Sequence, residues 1–152
     1  MSGAAEILLV RDGRVLVLHR APEPWGGLFG ALWHVPGGGE EPDETPAQAA
    51  VREAHEECGL TPTDAQQLGT WSHAYRGATA MHTAFRAQCP AGEIVLNGEH
   101  DDWRWLTPNE LIDYLDSAEV VARAGASSDF ASWRQGWRAI VVELRDALSL
   151  GR

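Results

Sequence analysis

The chain has 152 residues and a formal net charge of −10, with 22 acidic residues against 12 basic ones, and every basic residue is arginine. This length is typical of one domain, so we expect a single domain over residues 1–152. The negative charge opposes binding to nucleic acid and to anionic membranes, and no apolar run approaches the ~20 residues that a membrane span needs. We therefore expect a cytoplasmic protein without a nucleic-acid or membrane partner.

The first part of the sequence predicts a hairpin followed by an irregular connection. Residues 7–10 and 15–18 are aliphatic, and the Asp-Gly pair at 12–13 between them is typical of tight hairpin turns. Residues 21–32 are rich in proline and glycine, which predicts a loop. A short extended segment at 32–35 then leads into a run of glycines.

Residues 46–58 have the signals of a capped helix. Thr45 is a favourable N-cap, Pro46 suits the first helical position, and Gln48 completes a capping box with Thr45. Gly59 follows the last residue, where glycine commonly ends a helix. The helix is therefore predicted to begin and end within this segment.

The remaining elements predict a mixed sheet between layers of helices. Two strands at about 66–75 and 79–88 are joined by an Arg-Gly pair, and another strand covers 102–106. A short helix is expected at 108–115. A C-terminal helix at about 131–148 carries one apolar stripe, which consists of Trp133, Trp137, Ile140, Leu144 and Leu148. Strands interleaved with helices indicate the α/β class.

The helix at 46–58 carries an unusual cluster of carboxylates. At 100° per residue, Glu53, Glu56 and Glu57 lie within an arc of about 100°, opposite a face of small apolar residues. Carboxylates this close repel one another unless a cation or a proton lies among them. Oxygen ligands favour Mg²⁺, with Mn²⁺ as a substitute. Arg52 lies one turn before Glu56, and we interpret Arg52 and Glu44 as a structural brace between the preceding loop and the helix.

Residues 38–60 resemble the Nudix box, G-x5-E-x7-R-E-U-x-E-E-x-G-U, where U is a bulky aliphatic residue. All seven fixed positions match: Gly38, Glu44, Arg52, Glu53, Glu56, Glu57 and Gly59. The resemblance extends to the hairpin, to the Trp-x-x-Pro-Gly-Gly segment and to residues 99–106, which are similar to a segment of dihydroneopterin triphosphate and diadenosine tetraphosphate hydrolases. It implies a Nudix-type α/β/α sandwich with a mixed central sheet.

The resemblance also implies roles for individual residues. Backbone oxygens near Gly37 and Gly38 and a distal carboxylate, for which we choose Glu99 over Asp101 or Asp102, would complete the metal site. The general base would be Glu53 or Glu99, and the sequence does not separate them. The predicted catalytic residues are therefore Glu53, Glu56, Glu57 and Glu99.

The implied activity is Mg²⁺-dependent hydrolysis of a phosphoanhydride bond in a nucleoside diphosphate linked to another moiety. A nucleoside triphosphate pyrophosphohydrolase is the first choice. A dinucleoside polyphosphate hydrolase, an ADP-ribose hydrolase and a non-catalytic nucleotide-sensing domain are the alternatives. Arg20 could bind phosphate, and Trp25, Phe29 and Tyr75 are candidates for contacts with the nucleotide. The resemblance and the frequency of two-fold oligomers predict a homodimer.

Overall fold

A mixed sheet lies at the centre of the protein, as a computed structural model describes it over residues 3–22 and 27–152. Within these residues the elements are β1 (Gly3–Arg11), β2 (Arg14–Arg20), β3 (Trp33–His34), β4 (Gly37–Gly39), α1 (Pro46–Cys58), β5 (Gln66–Tyr75), β6 (Ala78–Gln88), β7 (His100–Leu106), α2 (Pro108–Leu115), α3 (Ala118–Ala126) and α4 (Ser128–Ser149). A short 3-10 turn, Gly27–Phe29, precedes β3.

The first two strands diverge from one another, and this divergence makes room for the glycine-rich strand. β1 and β2 pair antiparallel beside their turn, where Val10 faces Val15. Farther along, β1 pairs with β4 and β2 pairs with β3, whereas β7 pairs with β2 from Val15 to Arg20. The segment from β3 to β4 therefore crosses from β2 to β1. On its other side, β1 runs parallel to β6, which forms a hairpin with β5.

Helices cover both faces of the sheet, which confirms the predicted α/β/α sandwich. On one face, α1 packs small residues against the sheet, and the fully buried side chains here include Ala50, Ala54, Ile7 and Leu9. On the other face, α2, α3 and α4 enclose a second core. The predicted stripe of α4 belongs to this core: Trp133, Trp137, Ile140 and Leu144 are buried, and Leu148 is partly buried.

The predicted hairpins and helices are present, with differences at their ends. β1 is longer than predicted, β7 begins at His100 rather than at residue 102, and α4 begins at Ser128 rather than near residue 131. Helix α3 was not predicted, because it buries only Val120 and its sequence is short. No helix among residues 3–22 and 27–152 combines the length and the apolarity needed to cross a membrane.

Candidate functional site

Helix α1 is fixed at both ends, so its side chains have defined positions. The Thr45 side chain accepts a hydrogen bond from the Gln48 backbone N–H at 3.1 Å, and the Gln48 side chain accepts one from the Thr45 N–H at 2.9 Å. At the other end, Gly59 adopts φ +78°, which glycine tolerates better than residues with a side chain. The glutamates of α1 therefore project from a helix that cannot easily fray.

Arg52 joins helix α1 to the loop before it. Its guanidinium donates two hydrogen bonds to Glu44, at 2.8 and 3.0 Å, and one to the Gly39 carbonyl oxygen at 2.9 Å. It also donates to Glu53 at 3.1 Å and to Glu56 at 3.2 Å. A forked guanidinium–carboxylate pair defines both distance and orientation. This network holds β4 and the first turns of α1 in one arrangement.

Glu57 is the most deeply buried carboxylate of the helix. Its side chain accepts a hydrogen bond from the Gly37 backbone N–H at 2.7 Å, and the residue is only 3% exposed. Burial raises the pKa of Glu57 to about 8, with the Gly37 hydrogen bond opposing the shift and the nearby Glu53 and Glu99 charges adding to it. Without a cation beside it, this carboxyl group is therefore largely protonated at neutral pH.

Glu53 and Glu56 occupy different environments on the same helix. Glu53 lies against β4, the glycine strand formed by Gly37–Gly39. A Cβ added to Gly38 would come within 2.5 Å of the Glu53 carboxylate oxygen. Burial also raises the pKa of Glu53, with Arg52 opposing and Glu56 reinforcing the shift. The Glu56 side chain is half exposed and is held by Arg52. Glu53 and Glu57 therefore face β4, whereas Glu56 lies toward solvent.

Among the three acidic residues considered near the start of β7, Glu99 lies with the helix carboxylates. One ligand atom each from Glu57, Glu99 and His100 lies within 4.8 Å of the others, and such a group could hold a metal ion. Asp101 instead contacts the Nδ1 atom of His19 at 2.6 Å, and Asp102 accepts a hydrogen bond from the Trp103 backbone N–H at 2.8 Å. The fold thus brings Glu99 to the cluster and engages both alternatives elsewhere.

A cavity of about 140 Å³ lies on the other side of the glycine strand. It is lined by Arg20, Phe29, Gly37 and Gly38, among others. Tyr75 stacks on Phe29, with ring centroids 6.2 Å apart, and is not one of the described residues that line this cavity. The predicted role of Trp25 lies outside the described residues. Of the residues predicted to contact a nucleotide, Arg20 and Phe29 therefore line a cavity beside the carboxylates.

The inner wall of this cavity contains a hydrogen-bonded chain that sequence analysis did not identify. Glu6 accepts a hydrogen bond from the Trp71 indole N–H at 2.9 Å and lies 2.6 Å from His82 Nδ1. The Nε2 atoms of His82 and His73 are 3.0 Å apart. His73 Nδ1 lies 3.0 Å from the Ala74 carbonyl oxygen, so this nitrogen must be the donor.

The Nε2 contact between His73 and His82 requires one additional proton. With each Nδ1 donating, two neutral rings would face each other with lone pairs at 3.0 Å. Burial lowers the pKa of His73 at one end of this chain, and the Glu6 carboxylate lies at the other end, beside His82. A sequence signal existed: Glu6 interrupts an otherwise continuous apolar run in β1, and a charge at such a position needs a partner.

Comparisons with known proteins agree with this geometry. Residues 2–125 match the sequence model of the NUDIX domain. A "MutT-like protein" from Streptomyces ambofaciens is 32% identical over 78% of this chain and 70% of its own length. An "RNA pyrophosphohydrolase" from Brucella ovis is 31% identical over 64% of this chain and 73% of its own length. The crystal structure of a C. elegans Ap4A hydrolase superposes with a TM-score of 0.70 at 20% identity, covering 98% of both chains.

Proposed function

The chain belongs to the Nudix family and is a Nudix hydrolase, and we propose that it uses Mg²⁺ to cleave a phosphoanhydride bond in a nucleoside diphosphate linked to another moiety. Within this class, a nucleoside triphosphate is the substrate that we propose first. The observation that carries the proposal is the convergence of Glu53, Glu57 and Glu99 at a glycine strand whose opposite side lines a cavity.

The donor atoms of the site are suited to a hard divalent cation. Burial raises the pKa values of Glu53 and Glu57, and the charge of Glu99 adds to both shifts; a cation would relieve this repulsion. Carboxylate oxygens are the ligands that Mg²⁺ and Mn²⁺ prefer in proteins. When bound, such an ion neutralises charge on phosphate oxygens and lowers the pKa of a coordinated water. Glu56 and the backbone oxygens at Gly37 and Gly38 are the further ligands that we propose.

The residues of this chain then bind and orient the substrate. Arg20 lines the cavity beside the glycine strand, where its guanidinium would bind a phosphate. Phe29 lines the same cavity, where it would contact the base. Glu53 or Glu99 would accept the proton of the attacking water, and the Arg52–Glu44 pair would hold α1 in register. Positioning and charge neutralisation account for most of the rate in phosphoryl transfer.

The size of the cavity favours a nucleoside triphosphate over a dinucleoside polyphosphate. A volume of about 140 Å³ accommodates one heterocyclic ring, and a second nucleoside would have to lie outside it. The net charge of −10 also opposes a long RNA substrate, although one relative is named for RNA. The ADP-ribose alternative is less favoured, because such hydrolases often carry a proline about sixteen residues after the box, whereas here Pro62 is followed next by Pro90.

The test is a panel of substrates with identification of the products. Nucleoside triphosphates, a dinucleoside tetraphosphate, ADP-ribose and a 5′-triphosphorylated RNA are each incubated with and without Mg²⁺. We expect turnover of a nucleoside triphosphate that is lost in Glu57→Gln and retained in Glu143→Gln, a matched change at an exposed glutamate of α4. If every substrate remains intact with Mg²⁺, or if Glu57→Gln turns over as fast as the wild type, the proposal is wrong.

A further inference from the structure

His100 is buried beside the carboxylates, and its hydrogen bonds define its tautomer. The ring is at the start of β7, is only 9% exposed, and its Nδ1 lies 3.1 Å from the Oδ1 atom of Asn97. The same Oδ1 accepts a hydrogen bond from the Glu99 backbone N–H at 3.2 Å, so it is an oxygen that only accepts. His100 Nδ1 must therefore carry the hydrogen, and a neutral ring then presents a bare lone pair at Nε2.

This lone pair lies toward a carboxylate. His100 Nε2 is 3.7 Å from Glu57 Oε2, and both side chains are almost completely buried. Two acceptors that face each other repel unless a proton or a cation lies between them. Glu99 contributes a third ligand atom, and the three lie within 4.8 Å of one another. Ligand atoms around one octahedral ion at ~2.1 Å are separated by about 3 Å when adjacent and about 4 Å when opposite, so this spacing suits a shared ion.

We propose that His100 Nε2 is a direct ligand of the divalent ion held by Glu57 and Glu99. The inference rests on the proposed function and adds to it a nitrogen ligand in a site otherwise made of oxygens. Imidazole binds later first-row ions more strongly, whereas Mg²⁺ prefers oxygen. The site therefore has a higher affinity for Mn²⁺ and Co²⁺, relative to Mg²⁺, than its carboxylates alone would give. Asn97 is a positioning residue, because it orients the ring through Nδ1.

A different role for His100 would give different metal affinities. If the ring only accepts a hydrogen bond from protonated Glu57, loss of the ring would disturb the carboxylate. The affinity for every divalent ion would then fall by a similar factor. If the ring is a ligand, its loss removes a nitrogen that later ions favour. The ratio of Mn²⁺ to Mg²⁺ affinity therefore separates the two roles.

The experiment is pulsed electron paramagnetic resonance of Mn²⁺ bound to the full chain, without substrate. We expect modulation from a coordinated ¹⁴N nucleus, which shifts to ¹⁵N frequencies when the histidines are labelled with ¹⁵N. In His100→Gln the modulation disappears. In His55→Gln it remains, because His55 is an exposed residue of α1 that contacts Thr61. Titrations should show about tenfold weaker Mn²⁺ binding in His100→Gln and less than about threefold weaker Mg²⁺ binding.

Each contrary outcome has a definite meaning. Mn²⁺ that binds the wild type without nitrogen modulation would overturn the ligand assignment and leave the proposed hydrolase intact. Nitrogen modulation that persists in His100→Gln would also overturn the assignment. An equal loss of Mn²⁺ and Mg²⁺ affinity in this variant would do the same. If the wild type bound no Mn²⁺ and hydrolysed no nucleotide, the proposed function itself would be wrong. The wild-type spectrum tests the assignment even if His100→Gln does not fold.

Discussion

Replacing Glu57 by glutamine should stabilise the metal-free protein at alkaline pH. Glu57 is 3% exposed, and burial raises its pKa from an ordinary 4.5 to about 8. Glutamine retains the shape and an oxygen that can accept the Gly37 hydrogen bond. Its amide can also donate to His100 Nε2, which lies 3.7 Å from the carboxylate it replaces. The variant therefore keeps the packing and removes only the charge.

The size of the effect follows from proton linkage. A carboxyl group whose pKa is raised on folding contributes stability below pH 4.5, and this stability is lost as the pH rises to about 8. Each pKa unit corresponds to about 1.36 kcal/mol. From about pH 6 to about pH 8, where the folded-state carboxyl group becomes half ionised, the wild type should therefore lose about 2 kcal/mol of unfolding free energy relative to Glu57→Gln. Burial also lowers the pKa values of His34 and His100. The titration of these two groups changes the unfolding free energy mostly at more acidic pH.

The assay is urea unfolding in the presence of a chelator, from about pH 6 to about pH 8.5, for the wild type, Glu57→Gln and Glu143→Gln. The Glu143→Gln curve should parallel that of the wild type. At about pH 8.5, saturating Mg²⁺ should raise the unfolding free energy of the wild type by about 2.7 kcal/mol at a hundredfold excess over Kd. It should raise the unfolding free energy of Glu57→Gln by less. Parallel pH curves for the wild type and Glu57→Gln would refute the reasoning.

Four further predictions use the same structure. Excess chelator should abolish turnover and millimolar-scale Mg²⁺ or Mn²⁺ should restore it; unchanged turnover would exclude a metal requirement. Gly38→Ala should lower kcat by at least about tenfold, because the new Cβ meets Glu53 at 2.5 Å, whereas Gly39→Ala, with nothing within 4 Å, should have wild-type rates in the same assay. Glu6→Gln should lower the unfolding free energy by about 1 kcal/mol in urea titrations, because an amide oxygen makes weaker hydrogen bonds than the carboxylate that contacts Trp71 and His82. Light scattering should show a particle of about twice the 16.6 kDa chain mass, and a monomer at every concentration would reject the homodimer.

Local sequence signals predicted the elements that position the site. The capping box at Thr45, Pro46 and the glycine after Cys58 define α1 within the chain itself, and the structure has the same helix. The parallel pairing of β1 with β6 could not be predicted in this way, because it joins residues that are far apart in sequence. The start of α4 depends on a Ser127 cap next to the end of α3, and the nine residues of α3 are too few to repeat an apolar period several times.

The candidate site was only partly predictable for a similar reason. Spacing along one helix showed that Glu53, Glu56 and Glu57 share a face, because helical geometry is periodic. It did not show that Glu56 lies toward solvent beside Arg52. The cluster of Glu6, His73 and His82 draws on β1, β5 and β6, so it exists only once the sheet has formed. Glu99 was chosen by resemblance, and its proximity to Glu57 depends on the position of β7.

The glycine strand β4 links the carboxylates to the cavity because successive residues of a strand face opposite sides. At Gly38 a Cβ would meet the Glu53 carboxylate at 2.5 Å, and at Gly37 it would meet the Ala5 carbonyl oxygen at 2.6 Å and the Glu6 Cα at 2.9 Å. Backbone atoms cannot rotate away, so a side chain at Gly37 would force β4 from β1. Because β4 has no side chains at these two positions, the Glu53 carboxylate and the β1 backbone can both approach the backbone of β4. Its N–H at Gly37 already binds Glu57, so a displacement on the cavity side would also move the carboxylates.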